Sequence, residues 1–115
     1  YNDAAGVTAE FNLNLLTRIN RELGGNFDPA AFEHYAFYNP GPGRIEMHLI
    51  SRREQRVSVA GHGFVFGEGE SLHTENSYKF TVDGVRDLAR RAGFEPEHVW
   101  HDDEMLFSLH LLRAP

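Results

Sequence analysis

Apolar residues recur at steps of three and four near the start of the chain, which is the spacing of one helical face. The residues of this stripe are Val7, Phe11, Leu15, Leu16, Ile19 and Leu23. Gly24 and Gly25 follow directly, and glycine readily takes the left-handed conformation that ends a helix. The pattern predicts an amphipathic helix that begins at Asp3 or Thr8 and ends before Gly24.

The middle third of the chain alternates between apolar and polar residues, as half-buried strands do. Asp28 followed by Pro29 predicts a short helix that ends near Phe32, since aspartate caps a helix and proline fits its first turn. The strands predicted after it are residues 35–38, 44–51, 57–59, 64–66 and 71–80. Glycine-rich, proline-rich and charged turns separate them. This region therefore predicts an antiparallel sheet of about four or five strands.

The last third of the chain predicts a helix at residues 82–92 and then two strands, 97–100 and 105–112. The pattern changes near Phe80, where we place a domain boundary. Residues 1–79 then form a module of helices and antiparallel sheet, and residues 80–115 form a helix-strand-strand tail. The predicted fold class is α+β.

Composition narrows the classes of partner and site. The formal charge of −6 disfavours nucleic acid and anionic membranes, which both bind clustered basic residues. The absence of cysteine excludes disulfides, thiolate zinc sites and cysteine nucleophiles. No apolar run is as long as a membrane span and no signal peptide opens the chain, so we expect a cytoplasmic location. The start at Tyr1, almost directly before a helix, indicates the middle of a longer protein.

The seven histidines raise the question of a metal site. In regular strands His73 and Glu75 would share one face, as would Glu46 and His48, and a cluster could form if the two strands were neighbours. The sequence fixes no third ligand and shows no recognisable metal spacing, so we predict no metal site. The acidic residues 102–104 are more typical of a hairpin turn.

Three segments resemble successive blocks of the histidine-specific methyltransferase family, whose members make trimethylhistidine (hercynine) on the route to ergothioneine. The segments are residues 1–12 (YNDAAGVTAEFN), 44–49 (RIEMHL) and 72–80 (LHTENSYKF). Their order and spacing agree with the C-terminal portion of the family. Residues 80–115, with Ala-Gly-Phe after their helix, resemble the closing helix and β-hairpin of a Rossmann-like methyltransferase sheet.

This resemblance implies an enzyme dependent on S-adenosylmethionine (SAM), with a Rossmann-like domain and a separate substrate domain. Tyr1 matches the family tyrosine that contacts the substrate carboxylate, and Met47 matches a methionine that lines the amino-acid pocket. Glu75 and Ser77 match the pair that recognises the imidazole ring. The family's glycine-rich loop, acidic ribose partner and carboxylate-binding asparagine would all lie before Tyr1. We therefore expect the chain to lack most of the SAM site, to supply no cofactor-binding or catalytic residue, and to be inactive alone.

The chemistry of the expected substrate, L-histidine or its methylated forms, suits Glu75 and Ser77. Residues two apart in a strand share a face, and imidazole offers one N–H donor and one acceptor nitrogen. A carboxylate can accept from the first and a hydroxyl can serve the second. The residues alone allow two simpler interpretations. Glu75 and Ser77 could belong to a polar strand that faces solvent, and Met47 could only fill the core.

Two other functions also remain open. One is a related methyltransferase that acts on a different amine. The other is a non-catalytic module that binds a ligand or a partner chain. For a hairpin that normally borders a larger sheet, an exposed strand edge would favour self-association.

Overall fold

The computed structural model describes residue 1, residue 3 and residues 6–115. Residues 2, 4 and 5, which belong to the first of the three resembling segments, lie outside the described residues. The chain divides into two compact units, Tyr1–Tyr78 and Lys79–Pro115. The first unit contains, in order, α1 (Val7–Leu23), a 3-10 helix (Pro29–Ala31), β1 (Phe32–Asn39), β2 (Arg44–Ser51), β3 (Gln55–Val59), β4 (His62–Phe66) and β5 (Ser71–Tyr78). The second contains α2 (Val82–Arg91), β6 (Glu95–His101) and β7 (Ser108–Arg113). The predicted α+β class with antiparallel strands is confirmed.

Helix α1 ends where predicted but presents a different face to the sheet. Gly24 stops it with φ 62°, in the left-handed region. Its buried residues are Asn12 and Leu16, whereas four of the six residues in the predicted stripe are exposed, namely Val7, Phe11, Leu15 and Leu23. The predicted stripe was therefore wrong for most of its members. Asn12 forms hydrogen bonds to residues of three strands. The face of α1 that contacts the sheet is therefore centred on Asn12 and Leu16.

The five strands of the first unit form two sheets rather than the single sheet predicted. Strands β1, β2 and β5 form one antiparallel sheet in that order, and β3 and β4 form a separate hairpin. The end of β2 explains the separation. The Ser51 amide donates to the Glu70 carbonyl (2.9 Å) and the Gly69 amide to the Ser51 carbonyl (2.8 Å), which brings the chain back beside β2 after the hairpin.

The core of this unit joins α1, the three-stranded sheet and the hairpin. Its buried residues are Leu16, Phe27, Ala31, Phe32, Leu49, Val57 and Phe66. The three phenylalanine rings contact one another with centroids 5.4–6.1 Å apart. Because these rings come from β1, β4 and the segment after α1, they connect the two sheets across one shared cluster.

A β-bulge in β5 decides which side chains face α1. Met47 pairs with Glu75 and His48 pairs with His73, so Thr74 is the extra residue. Glu75 therefore lies on the face of the sheet that carries Met47 and packs under α1, which we call the helix face. His73 lies with His48 on the opposite face. The expectation that His73 and Glu75 share a face was wrong, because a bulge inserts one residue and reverses the alternation beyond it.

The second unit is a helix followed by an antiparallel hairpin. The Thr81 hydroxyl caps α2 by accepting from the Gly84 amide at 3.0 Å. Strand β7 begins later than predicted, since the Asp102 carboxylate accepts from the amides of Leu106 (2.7 Å) and Phe107 (3.1 Å) and holds them in a loop. Within the described residues, no helix has the length and apolar character needed to cross a membrane.

Candidate functional site

A groove lies between α1 and β5, the edge strand of the three-stranded sheet. Its lining residues are Phe11, Asn12, Asn14, Leu15 and Arg18 from the helix and Thr74 and Glu75 from the strand. The cavity measures about 200 Å³, below the range of roughly 300–1,000 Å³ found for drug-sized ligands. The groove therefore combines apolar walls, amide groups, one carboxylate and one guanidinium in a space suited to a small polar molecule.

Glu75 and Ser77 extend from the same face of β5. Glu75 pairs with Met47 and Ser77 pairs with Ile45, which places both on the helix face. Glu75 is exposed and lines the groove. Among the residues that the structure describes, none makes a hydrogen bond or ion pair to its carboxylate. Glu75 can therefore accept a donor from a ligand in the groove.

The structure brings Tyr1 and Ser77 together. Their hydroxyl groups are 2.8 Å apart, and the Tyr1 carbonyl lies 2.8 Å from His34 Nε2 on β1. Tyr1 thus reaches across the helix face from β1 to β5. Met47 is on that face as well, but it is only 3% exposed and does not line the groove. Of the four residues carried over from the family resemblance, Tyr1 and Ser77 are in contact, Glu75 shares the face of Ser77, and Met47 is buried on that same face.

Asn12 fixes the wall of the groove from inside. It is 3% exposed, and its amide nitrogen donates to the His48 carbonyl (3.2 Å) and lies 3.0 Å from His34 Nδ1. A donor at that position makes His34 Nδ1 an acceptor, which leaves its Nε2–H to donate to the Tyr1 carbonyl. One buried asparagine thereby sets the tautomer of the histidine that holds Tyr1.

The same asparagine also holds the bulge. The Thr74 hydroxyl lies 2.7 Å from Asn12 Oδ1 and 3.0 Å from the Met47 carbonyl, and its single proton can serve one of them at a time. Both Thr74 and Glu75 consequently face α1. The hydrogen bonds of Asn12 link the helix to β1, β2 and β5 at the point where β5 turns Glu75 into the groove.

Replacing Asn12 with alanine is expected to lower the free energy of unfolding by about 1–3 kcal/mol, because the buried groups that it serves lose their partner. Urea denaturation followed by circular dichroism measures this. The matched control is Asn14→Ala, on the same helix but exposed, which should change stability by less than about 0.5 kcal/mol. Equal losses for the two variants would contradict the role given to Asn12.

Sequence reasoning missed Asn12, Thr74, His34 and Arg18 as residues around the site. The apolar stripe predicted for α1 did not include Asn12, although Asn12 precedes the buried Leu16 by four residues and so shares its face. That spacing was an available signal. The contribution of Thr74 depends on the bulge, which no local pattern in residues 71–78 indicates.

The opposite face of the sheet carries a second polar group of residues around Glu46, which is 6% exposed. Asn39, His48 and Arg44 each form a hydrogen bond to its carboxylate. Together they lower the pKa of Glu46 from its ordinary value to about 2. Glu46 is therefore ionised throughout the neutral range.

Residues 1–114 match the family of histidine-specific, SAM-dependent methyltransferases. The chain belongs to this family. It is 45% identical over 113 residues to a histidine N-alpha-methyltransferase of Mycolicibacterium smegmatis, and 42% identical over 113 residues to a histidine N-alpha-methyltransferase of Mycobacterium tuberculosis. An uncharacterized protein of Sinorhizobium fredii is 34% identical over 98 residues, which is 82% of this chain and 32% of that protein.

The two mycobacterial relatives are matched over 96% of this chain but only 35% of their own length. This member of the histidine-specific methyltransferase family thus spans about a third of the curated relatives that it matches. The resemblance found in the sequence is confirmed at the level of the family.

Proposed function

We propose that this chain is the C-terminal, substrate-recognising part of a SAM-dependent L-histidine Nα-methyltransferase of ergothioneine biosynthesis. The observation that supports this most is the Glu75 carboxylate in a groove of about 200 Å³, with Ser77 on the same face of its strand. The substrate and the reaction in this proposal are taken from the two mycobacterial relatives, which are both named histidine N-alpha-methyltransferase.

In this proposal Glu75 accepts a hydrogen bond from one imidazole nitrogen, and the Ser77 hydroxyl serves the other. Such a pair distinguishes histidine from amino acids of similar size, because a side chain without ring nitrogens leaves both groups without a partner. The apolar side chains of Phe11 and Leu15 line the same groove and supply contact area for the ring.

Tyr1 and Met47 complete the proposed pocket in different ways. The Tyr1 hydroxyl now lies 2.8 Å from the Ser77 hydroxyl. With substrate bound, Tyr1 would instead donate to the substrate carboxylate, and Ser77 would bond to the imidazole ring. Met47, the buried cross-strand partner of Glu75 on the same face of the sheet, would support the pocket as a packed apolar side chain.

The described residues do not fit SAM. A phosphate- or nucleotide-binding loop of the Rossmann type joins a strand to a helix through glycines. Here the glycine-rich turns at 61–63 and 67–69 join strands, and the connection from β5 to α2, residues 79–81, contains no glycine. We therefore assign SAM binding to a region of the full-length protein outside this chain.

The second unit, Lys79–Pro115, is proposed to be the closing helix and hairpin of the methyltransferase sheet. Of its residues, all of which the structure describes, only Ala89 is buried. Its exposed large apolar residues are Phe80, Leu88, Phe94, Trp100, Met105, Leu106, Phe107, Leu109 and Leu111. A surface of this kind is typical of an element that packs against another part of a protein. Pairing of the hairpin edge with a second copy is the alternative.

A chimera tests the proposed function. In the M. smegmatis histidine N-alpha-methyltransferase, the segment of 113 matching residues is replaced by this chain. The chimera is expected to transfer methyl groups from SAM to L-histidine within about tenfold of the parent rate, measured by mass spectrometry of the methylated products. The unmodified parent enzyme is the control.

Two outcomes would reject this proposal in favour of its rivals. A chimera that binds SAM but methylates another amine better than histidine would identify a related enzyme of different specificity. A folded chimera that binds SAM and methylates no amine would identify a non-catalytic module.

A further inference from the structure

Three side chains that can bind a metal ion meet on the opposite face of the three-stranded sheet. Glu46 and His48 come from β2 and His73 from β5, and one ligand atom of each lies within 4.8 Å of the other two. His48 and His73 are directly paired across the strands. The bulge at Thr74 keeps His73 on this face while Glu75 turns to the other. The register thus supplies the third ligand that the sequence alone could not fix.

The distances between these atoms suit one bound ion. Glu46 Oε1 lies 3.0 Å from His48 Nε2 and 3.8 Å from His73 Nε2. Zinc ligands lie about 2.0–2.2 Å from the ion in a tetrahedral arrangement, which separates neighbouring ligand atoms by about 3.4 Å. The two distances bracket this value. The His48 and His73 rings are stacked with an interplanar angle of 22°, so both must turn for their Nε2 lone pairs to point at one ion.

Hydrogen bonds from other residues already orient two of the three ligands. Glu46 Oε2 accepts from Asn39 Nδ2 (3.0 Å) and Arg44 Nε (2.9 Å), which directs Oε1 toward the histidines. His48 Nδ1 lies 2.6 Å from the Ser71 hydroxyl. Metal-binding carboxylates and histidines in proteins are held by such second bonds, which fix ring orientation and tautomer.

Ring stacking and burial restrict the site further. Phe37, His48 and His73 form a stack across the three strands, with centroids 5.3 Å and 4.4 Å apart and interplanar angles of 18° and 22°. The Glu46 and His48 side chains are 7% and 13% exposed, and that of His73 is 37% exposed. Two of the three ligands are therefore largely buried, and the site is open to solvent on the side of His73.

We propose that Glu46, His48 and His73 form a binding site for a divalent transition-metal ion, with Zn²⁺ as the ion that it fits. Two imidazole nitrogens and one carboxylate oxygen are a donor set that zinc accepts, with a fourth position for water. Asn76 Oδ1, 2.6 Å from His73 Nε2, is a second candidate for that position. The guanidinium of Arg44 opposes the added charge and lowers the affinity below that of a dedicated structural zinc site.

Binding requires both Nε2 atoms to be without a proton. In the metal-free chain His48 Nε2–H donates to Glu46 Oε1 and His73 Nε2–H donates to Asn76 Oδ1, so the ion must displace both protons. His48 can carry its proton on Nδ1 and donate it to the Ser71 hydroxyl, and this leaves Nε2 as the metal ligand. His73 must exchange its bond to Asn76 for the ion. An ion held in this way joins β2 to β5 directly beside the bulge, and it should raise the temperature of unfolding.

The test uses the metal-free 115-residue chain titrated with Zn²⁺ by calorimetry, and with Co²⁺ as a spectroscopic probe. We expect one site, a rise in unfolding temperature on adding Zn²⁺, and visible absorption from bound Co²⁺. The variant His73→Ala should weaken Zn²⁺ binding at least tenfold, since changes beside a metal already cost about 10- to 100-fold. The matched control His62→Ala, an exposed histidine on β4, should leave it unchanged.

NMR of the unmodified chain tests the site without depending on the folding of a variant. Addition of Zn²⁺ should shift the ring signals of His48 and His73 first. Shifts confined to the other histidines, equal affinity in His73→Ala and the parent chain, or no binding at millimolar Zn²⁺ would each overturn the proposal. These results are independent of the proposed methyltransferase function.

Discussion

Replacing Glu75 with glutamine in the chimera is expected to lower kcat/KM for L-histidine by roughly 10- to 150-fold. A hydrogen bond to a charged group contributes about 1.5–3 kcal/mol, which corresponds to this range. Glutamine keeps the size of the side chain and removes its charge. Initial rates over a range of histidine concentrations measure the effect, and a rise in KM would locate it in substrate binding.

The matched control is Glu33→Gln, an exposed strand glutamate on β1, which should leave kcat/KM within about twofold. Ser77→Ala should have a smaller effect than Glu75→Gln, since a neutral hydrogen bond contributes about 0.5–1.5 kcal/mol. If Glu75→Gln retained the parent kcat/KM, Glu75 could not be the group that recognises the imidazole ring.

Local patterns predicted the elements of this chain well because each depends on residues close in sequence. Gly24 ends α1 as expected, Asp28 accepts from the Ala30 amide at the start of the 3-10 helix, and β2 covers the predicted residues 44–51. The arrangement of the strands was harder to predict. It depends on the bonds between Ser51 and residues 69–70, which join segments that sequence patterns treat separately.

The bulge shows how one unpredicted residue changes the interpretation of a site. Strict alternation places His73, Glu75 and Ser77 on one face of β5. The structure keeps Glu75 with Ser77 and moves His73 to the opposite face. The proposed substrate groove and the proposed metal site therefore lie on opposite faces of the same sheet. The extra residue, Thr74, bonds to Asn12, which is 62 positions away in sequence, so no local pattern could reveal it.

The proposed site residues came from family resemblance rather than from physical pattern. An N-terminal tyrosine and a polar strand carry no signal that separates a binding site from ordinary surface. For Tyr1 and Ser77 the structure provides the missing information, because it places their hydroxyl oxygens 2.8 Å apart. For Glu75 it is the groove that α1 forms beside it. Phe11 and Leu15 of the predicted stripe line that groove because Asn12 and Leu16 are the residues that α1 buries.

Replacing Phe32 with alanine is expected to lower the free energy of unfolding of the first unit by about 3–5 kcal/mol. Phe32 is 1% exposed, and its ring contacts those of Phe27 and Phe66 at 5.8 Å and 5.4 Å. The substitution opens a cavity at the place where β1 meets the β3–β4 hairpin. Denaturant unfolding monitored by circular dichroism gives the loss, and NMR signals of Val57 and Phe66 report whether the hairpin detaches.

The matched control is Phe64→Ala, in the same hairpin but 50% exposed, which should cost clearly less. Phe32→Leu should recover most of the loss, because a volume-conserving apolar change usually costs less than about 1.5 kcal/mol. Equal losses for Phe32→Ala and Phe64→Ala would show that the three rings do not form the main connection between the sheets. If Val57 and Phe66 kept their signals while β1 lost its own, the hairpin would be held by Leu16 and Leu49 rather than by Phe32.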